Sequence, residues 1–240
     1  MTPQILIQCA GKKNNTYTFD NYQGKKVEFI SDIESNDLPN SNNSIYVNPN
    51  EAISEDSDKT WIDKLKEYNK NKLNPNGFCQ AWELYENPIY ADIKKKVGKE
   101  NMFIASAGWG IVKASYWLPN YDITFSRPPK GKKKNYIIRS SAQNEIAKWD
   151  DINAFHDSNI KIYDLHIFCG KKYLRLINKL ITDRQIDPNM ITLYIRNNEP
   201  NINEWEISCK LIKWTHPDPK KDRNTNWHYD CAEDFINKLR

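Results

Sequence analysis

Three short apolar runs in this chain each end in a glycine-containing bend. Ile5-Leu6-Ile7-Gln8-Cys9 breaks at Ala10-Gly11-Lys12-Lys13, and Met102-Phe103-Ile104-Ala105-Ser106 breaks at Ala107-Gly108-Trp109-Gly110. Ile160 to Cys169 opens through Gly170-Lys171-Lys172. Apolar runs of this length, bounded by such punctuation, mark strands buried in a sheet. Helical patterns lie between them. One runs from about Trp61 to Tyr68, with Asp58 or Thr60 as its cap. A second places Ile89, Ile93 and Val97 on one face and stops at Gly98, and a third runs from Tyr173 to Ile181. Ile191 to Ile195 reads as a fourth strand, Glu206 to Trp214 as a fifth at an edge, and Cys231 to Leu239 as a closing amphipathic helix.

Strands alternating with helices predict the α/β class: a single domain over residues 1–240, with a mainly parallel sheet flanked by helices. Residues 31–60, rich in Ser, Asn, Asp and Pro, read as a long surface excursion. In open sheets of this kind, ligands collect at the carboxyl ends of the strands. The three glycine bends therefore share one rim, where backbone amides and lysines can face phosphate.

Composition narrows the function classes. No apolar run approaches the roughly 20 residues that cross a bilayer, and the Met1-Thr2-Pro3-Gln4 start lacks the basic and apolar segments of a secretory signal. A cytoplasmic protein with no membrane partner is expected. The five cysteines (Cys9, Cys79, Cys169, Cys209, Cys231) show no pairing pattern and read as free thiols. A zinc site drawn from Cys209, His216, His228 and Cys231 has no CxxC pair and fits no compact knuckle, so no metal or other cofactor is expected. Net charge is only +4, yet Lys94 to Lys148 holds 12 Lys or Arg against Glu100, Asp122 and Glu145. Such a one-sided stretch attracts a phosphate polyanion such as DNA, or else forms a solvated face. Walker, GxGxxG, HExxH and GxSxG motifs are absent from the sequence, which removes support for ATPase, dehydrogenase, zinc-protease and common hydrolase readings.

Taken together, Ile5 to Lys13, Ala81-Trp82-Glu83-Leu84-Tyr85-Glu86-Asn87-Pro88, Ser106-Ala107-Gly108-Trp109-Gly110-Ile111-Val112 and Pro119-Asn120-Tyr121-Asp122 resemble the YaaA-like superfamily, with a weaker echo at Cys169 to Tyr173. The resemblance covers the start of the chain and about Cys79 to Ser126. It implies a three-layer α/β fold likened to that of uracil-DNA glycosylase, association with DNA, and company with nucleic-acid modification systems; from that company a role in recognising modified phage DNA is expected. Cys9-Ala10-Gly11-Lys12 departs from the Ser-Pro-Ala-Lys type of loop found in the peroxide-stress members. Their role in iron homeostasis is therefore not carried over.

On the residues themselves, Asp122 lies among aromatics just upstream of Arg127, Lys130, Lys132, Lys133 and Lys134. A carboxylate beneath a sugar–base bond stabilises an oxocarbenium-like transition state or orients water. Trp109, Tyr121 and Phe125 can stack on an extruded base, and Ser106 can meet its edge. The competing interpretation makes Asp122 a turn cap and the aromatics core. Lys12, Lys13, Lys132, Lys133, Lys134 and Lys171 are candidates for gripping phosphate, and Lys12 or Lys171 could instead form a Schiff base if burial lowered its pKa. His216, framed by Thr215 and Pro217, is a second catalytic candidate or a surface turn, while His166 reads as a satisfied core residue. The expected function is a DNA glycosylase that hydrolyses the N-glycosidic bond of a modified base. A non-enzymatic DNA-binding stress protein is the rival, and a base-modifying transferase is a third class.

Overall fold

The computed structural model describes residues 2–14, 19–22, 24–126, 134–199, 202–220 and 225–239. Arg127, Lys130, Lys132 and Lys133 of the expected basic cluster lie outside the described residues.

Along the chain come β1 (Gln4–Gln8), β2 (Phe19–Tyr22), β3 (Lys25–Phe29), β4 (Ser44–Val47), α1 (Trp61–Lys70), β5 (Cys79–Gln80), α2 (Ala81–Leu84), α3 (Ile89–Val97), β6 (Met102–Ser106), β7 (Gly110–Lys113) and β8 (Trp117–Leu118). They are followed by α4 (Gln143–Ala147), β9 (Ile152–Asn153), β10 (Leu165–Phe168), α5 (Leu174–Arg184), β11 (Ile191–Arg196), β12 (Lys210–Trp214) and α6 (Trp227–Lys238).

Seven strands form the main sheet in the order β12-β11-β10-β1-β6-β7-β9. The five from β12 to β6 are parallel, whereas β7 runs antiparallel to β6 and β9 runs parallel to β7. The expected α/β class and mainly parallel sheet are therefore present. β1 sits between β10 and β6, with Leu6 opposite both Ile167 and Phe103. Ile5, Leu6 and Ile7 expose nothing, because a central parallel strand is covered on both faces. α3 packs on β1, β6 and α6, and α6 also packs on β10 and β11. The crossovers β1–α3–β6 and β10–α5–β11 leave the centre in opposite directions. Right-handed connections then set α3 and α5 on opposite faces of the sheet.

Local sequence explains the main helices. Thr60 caps α1: its Oγ1 accepts from the Asp63 N–H at 3.2 Å, while the Asp63 carboxylate accepts from the Thr60 N–H at 3.1 Å. Ile89, Ile93 and Val97 bury one face of α3, and Gly98 ends it at φ +82°.

Several boundaries differ from expectation. The third strand covers only Leu165–Phe168 of the apolar run 160–169. The Gln4 side chain binds the Lys161 carbonyl at 3.0 Å and the Tyr163 N–H at 3.1 Å, which holds residues 161–163 off the ladder. The excursion at 31–60 is partly built in: β4 pairs in parallel with β3, and Ile33, Leu38 and Tyr46 pack around buried Ile30. The edge strand begins at Lys210 rather than Glu206, and the last helix begins at Trp227 rather than Cys231. β7 arises because Gly110, at φ +88°, turns the chain straight back along β6. A Cβ at Gly110 would stand 2.4 Å from the Ile152 carbonyl oxygen, so β9 can dock there only against glycine.

The described basic residues of the stretch 94–148 do not form one face. Arg139 is fully buried. Its guanidinium makes two 2.7 Å bonds to Asp151, a third of 2.9 Å to the Ala107 carbonyl, and lies 4.0 Å from the Trp149 ring centre. Lys113 pairs with Asp157 at 2.6 Å near the reversed edge, and Lys94 lies over the Trp82 ring at 3.6 Å. Arg139 ties the bend after β6 to the start of β9, so an unpaired guanidinium there would be strongly unfavourable. Asp151→Ala is expected to cost about 3–5 kcal/mol, measured as a lowered denaturant midpoint. A change under about 1 kcal/mol, in the range of an exposed pair, would contradict the burial.

Candidate functional site

The cavity that matters opens at the carboxyl end of β1. Its volume is about 420 Å³, and it is lined from four parts of the chain. Gln8 to Gly11 and Lys13 come from the end of β1, Asp122 to Thr124 with Ser126, Lys134 and Ile137 form a second wall, and Tyr173, Asn226 and Tyr229 close it. This is the switch point of the sheet, where connections diverge to either side and leave a crevice above the central strand.

Two lysines that are neighbours in sequence face opposite ways. The loop after β1 is pinned to the end of α2: Lys13 bridges Tyr85, the Asn14 N–H donates to the Leu84 carbonyl at 2.8 Å, and the Glu86 N–H donates to the Lys12 carbonyl at 3.2 Å. Extended backbone alternates its side chains. Lys12 therefore points outward, where it pairs with Glu86, and Lys13 points inward. The Lys13 Nζ stands 4.1 Å from the centre of the Tyr121 ring. Burial pulls the Lys13 pKa below its ordinary value, against the opposing pull of Cys9 and Asp122.

Asp122 is half exposed at the mouth, and its carboxylate lies 3.6 Å from the Lys134 Nζ. Its segment is held on both sides. The Asp122 N–H donates to the Phe29 carbonyl at 2.8 Å, the Thr124 N–H to the Ile137 carbonyl at 2.9 Å, and the Arg139 N–H to the Thr124 carbonyl at 2.8 Å. The second glycine bend contributes from behind: a Cβ at Gly108 would meet the Tyr121 ring at 2.8 Å, so that glycine makes the seat on which Tyr121 packs.

Beneath the cavity runs a chain of phenols. The Ser106 Oγ bonds the Tyr121 hydroxyl at 2.8 Å, which bonds the Tyr85 hydroxyl at 3.0 Å. The Tyr90 hydroxyl donates to the Gln8 carbonyl at 2.7 Å, the Tyr229 hydroxyl donates to the Cys9 carbonyl at 3.0 Å, and the Cys9 Sγ lies 3.1 Å from the Tyr173 hydroxyl. Burial raises the pKa of Tyr85, Tyr90, Tyr121, Tyr173 and Tyr229, so all five remain protonated donors. The strand end itself is locked by the Gly170 N–H, which donates to Gln8 Oε1 at 2.6 Å.

The structure brings Asp122, Lys13 and Lys134 together and separates the other candidates from them. Trp109, Phe125 and Ser106 are buried and do not line the cavity. The Trp109 ring packs edge-on against Phe29 at 4.9 Å, and Phe125 against Tyr173 at 4.9 Å, so these faces are occupied by core. Tyr121 is likewise buried and meets the site through the Lys13 amine. Base stacking by this aromatic set is thus replaced by core packing. His216 follows β12, three strands from β1; its Nδ1 accepts from the Asp218 N–H at 2.8 Å in a local turn, and it does not line the cavity. Lys171 pairs with Glu204 at 3.6 Å and also stands outside the lining, as does Lys12. His166 is satisfied, as expected, by the Tyr194 hydroxyl at 3.2 Å and Asp164 at 3.1 Å. All five cysteines are free, and no group of three or more His, Cys, Asp or Glu side chains among the described residues is placed to hold a metal ion.

Cys9, Tyr173, Asn226 and Tyr229 are among the lining residues that the sequence does not mark as site candidates. Tyr173 had a signal, because it follows the Gly170 bend directly. Tyr229 and Asn226 had none, since α6 reaches the site from the far end of the chain.

Comparison with protein-family models, with curated proteins and with solved structures finds no match for this chain. No helix among the described residues is long and apolar enough to cross a membrane.

The buried amine carries a pH signature. With its folded-state pKa below 10.5, the unfolded chain holds a proton that the folded chain has released, so stability rises with pH from the folded value up to 10.5. Lys13→Met removes this dependence. The variant should gain most over the parent near neutral pH, and the advantage should shrink as pH approaches 10.5. Denaturant midpoints taken at steps across that range check it, and a pH-independent difference would refute the burial of the amine.

Proposed function

We propose that this protein acts on DNA as a glycosylase, hydrolysing the N-glycosidic bond of a modified base held in the cavity at the end of β1. The observation that carries this is the meeting of one carboxylate and two lysine amines, Asp122 with Lys13 and Lys134, on a hollow of nucleotide-subsite size at the switch point of a parallel sheet. Its volume of about 420 Å³ falls among small-molecule sites, which run roughly 300–1,000 Å³. The motif resemblance in residues 5–13, 81–88, 106–112 and 119–122 to the YaaA-like superfamily supports the same reading.

In this mechanism the base enters the hollow, where the Tyr173 and Tyr229 phenols and the Asn226 amide offer polar edges and Ile123 and Ile137 offer apolar contact. Asp122 stands at the mouth, where the sugar would rest. As the N-glycosidic bond breaks, positive charge grows on the sugar ring, and the carboxylate stabilises that charge and orients the attacking water. Lys134, solvent-facing beside Asp122, meets the flanking phosphate as a point charge. Recognition of modified bases would suit a defence against phage with modified genomes.

The test is incubation with DNA that carries natural and modified bases, followed by alkali to reveal abasic sites. Asp122→Asn is expected to lower base release by about 10²–10⁴-fold while DNA retention on a gel persists. Retained DNA with no base released across a broad modification panel would instead establish a docking surface without catalysis. Release that requires a second substrate would establish a transferase.

A further inference from the structure

The glycosylase mechanism uses the acid of this cavity and leaves its inward-facing amine without a chemical task. Lys13 is the one lysine whose side chain both lines the cavity and is withdrawn from solvent among the described residues. Lys134 lines it too, but is half exposed and ion-paired to Asp122, and Lys12 is drawn outward by Glu86. Lys13 alone of the three stands against an aromatic ring in a low-dielectric wall, where burial favours the neutral form that can act as a nucleophile.

We infer that the Lys13 amine is a covalent nucleophile toward the C1′ carbon of an abasic deoxyribose, giving the protein an abasic-site lyase activity. This rests on the reading that the cavity accepts a DNA nucleotide, though not on which base it removes. The chemistry balances without a further reactant. The neutral amine adds to the C1′ aldehyde of the ring-opened sugar, and the resulting carbinolamine loses water to give a protonated imine. Removal of the C2′ proton by a base sends that electron pair into a C2′–C3′ double bond as the C3′–O bond breaks, and the 3′ phosphate departs with its electrons. Asp122 is the carboxylate at hand for the proton, close enough to Lys13 for its charge to bear on the amine. Water then hydrolyses the imine, restoring Lys13 and leaving an unsaturated aldehyde on the cut strand. Burial, which lowers the Lys13 pKa, favours the neutral amine that the first step requires.

The experiment uses the full chain with an oligonucleotide containing one abasic site, as a single strand and as a duplex, with and without borohydride. With the reductant, a covalent protein–DNA adduct is expected on a denaturing gel, and peptide mapping of the native-sequence adduct should place the sugar remnant on Lys13. Without it, the strand should be cut on the 3′ side of the abasic site. Lys13→Arg and Lys13→Met should each lose both adduct and cut while keeping the melting transition of a folded chain. Absence of an adduct overturns the assignment, as does a remnant mapped to Met1 or to another lysine. The two readings separate cleanly. Base release from modified DNA with no adduct sinks the lyase and leaves the glycosylase, whereas a Lys13 adduct in a protein that releases no base sustains the lyase and sinks the glycosylase.

Discussion

β1 is hydrogen-bonded along both edges, to β10 and to β6, and is covered on both faces, so the one direction in which its chain can leave is upward through the carboxyl end. Everything at the site follows from that confinement. The crossovers on either side diverge, and the space above Gln8 and Cys9 is walled by the segments anchored around it. Those segments are anchored by hydrogen bonds: 122–124 to Phe29 and Ile137, 12–14 to the end of α2, and Gly170 to the Gln8 side chain. The walls are therefore built on rigid elements, although the residues facing the hollow belong mostly to loops.

A buried ammonium is an expense that a stable fold avoids, since desolvating a charge is compensated only by close partners. Here the partners are incomplete. A ring face at 4.1 Å offsets part of the desolvation, and Asp122 and Cys9 offset more, yet desolvation still dominates. The phenols beneath the cavity satisfy one another and the β1 carbonyls rather than the amine. This is the kind of local conflict that persists at functional positions, where stability is traded for chemistry.

The sheet was largely legible from the chain because its strands are short apolar runs closed by glycine, a local signal. The three bends share one rim because β10, β1 and β6 are adjacent and parallel, which the alternation of strands and helices implies. Legibility stopped where contacts are long-range. Arg139 reads as one more member of a basic stretch until Asp151 and Ala107 are seen to enclose it. Trp109 between two glycines looks available for stacking, whereas Gly110 folds β7 back and seals the indole into the core. Lys12 and Lys13 are indistinguishable in composition; only the pairing with Tyr85 and Glu86 decides which of them turns inward.

That single alternation divides the labour at the site. In the proposed reaction the half-exposed Asp122 carboxylate answers positive charge on a sugar, while the enclosed Lys13 amine, its pKa lowered by burial, shares an electron pair. In the proposed stepwise reaction at C1′ these two groups, one wet and one dry, serve different steps: the first bond breaking, the second capture of the carbon left behind. Exchanging Lys12 for Lys13 in orientation would put the amine in water beside Glu86, where it would stay protonated and serve only as a counter-charge. The inward placement of the amine is thus set by the backbone bridge at Tyr85 as much as by any residue that faces the hollow.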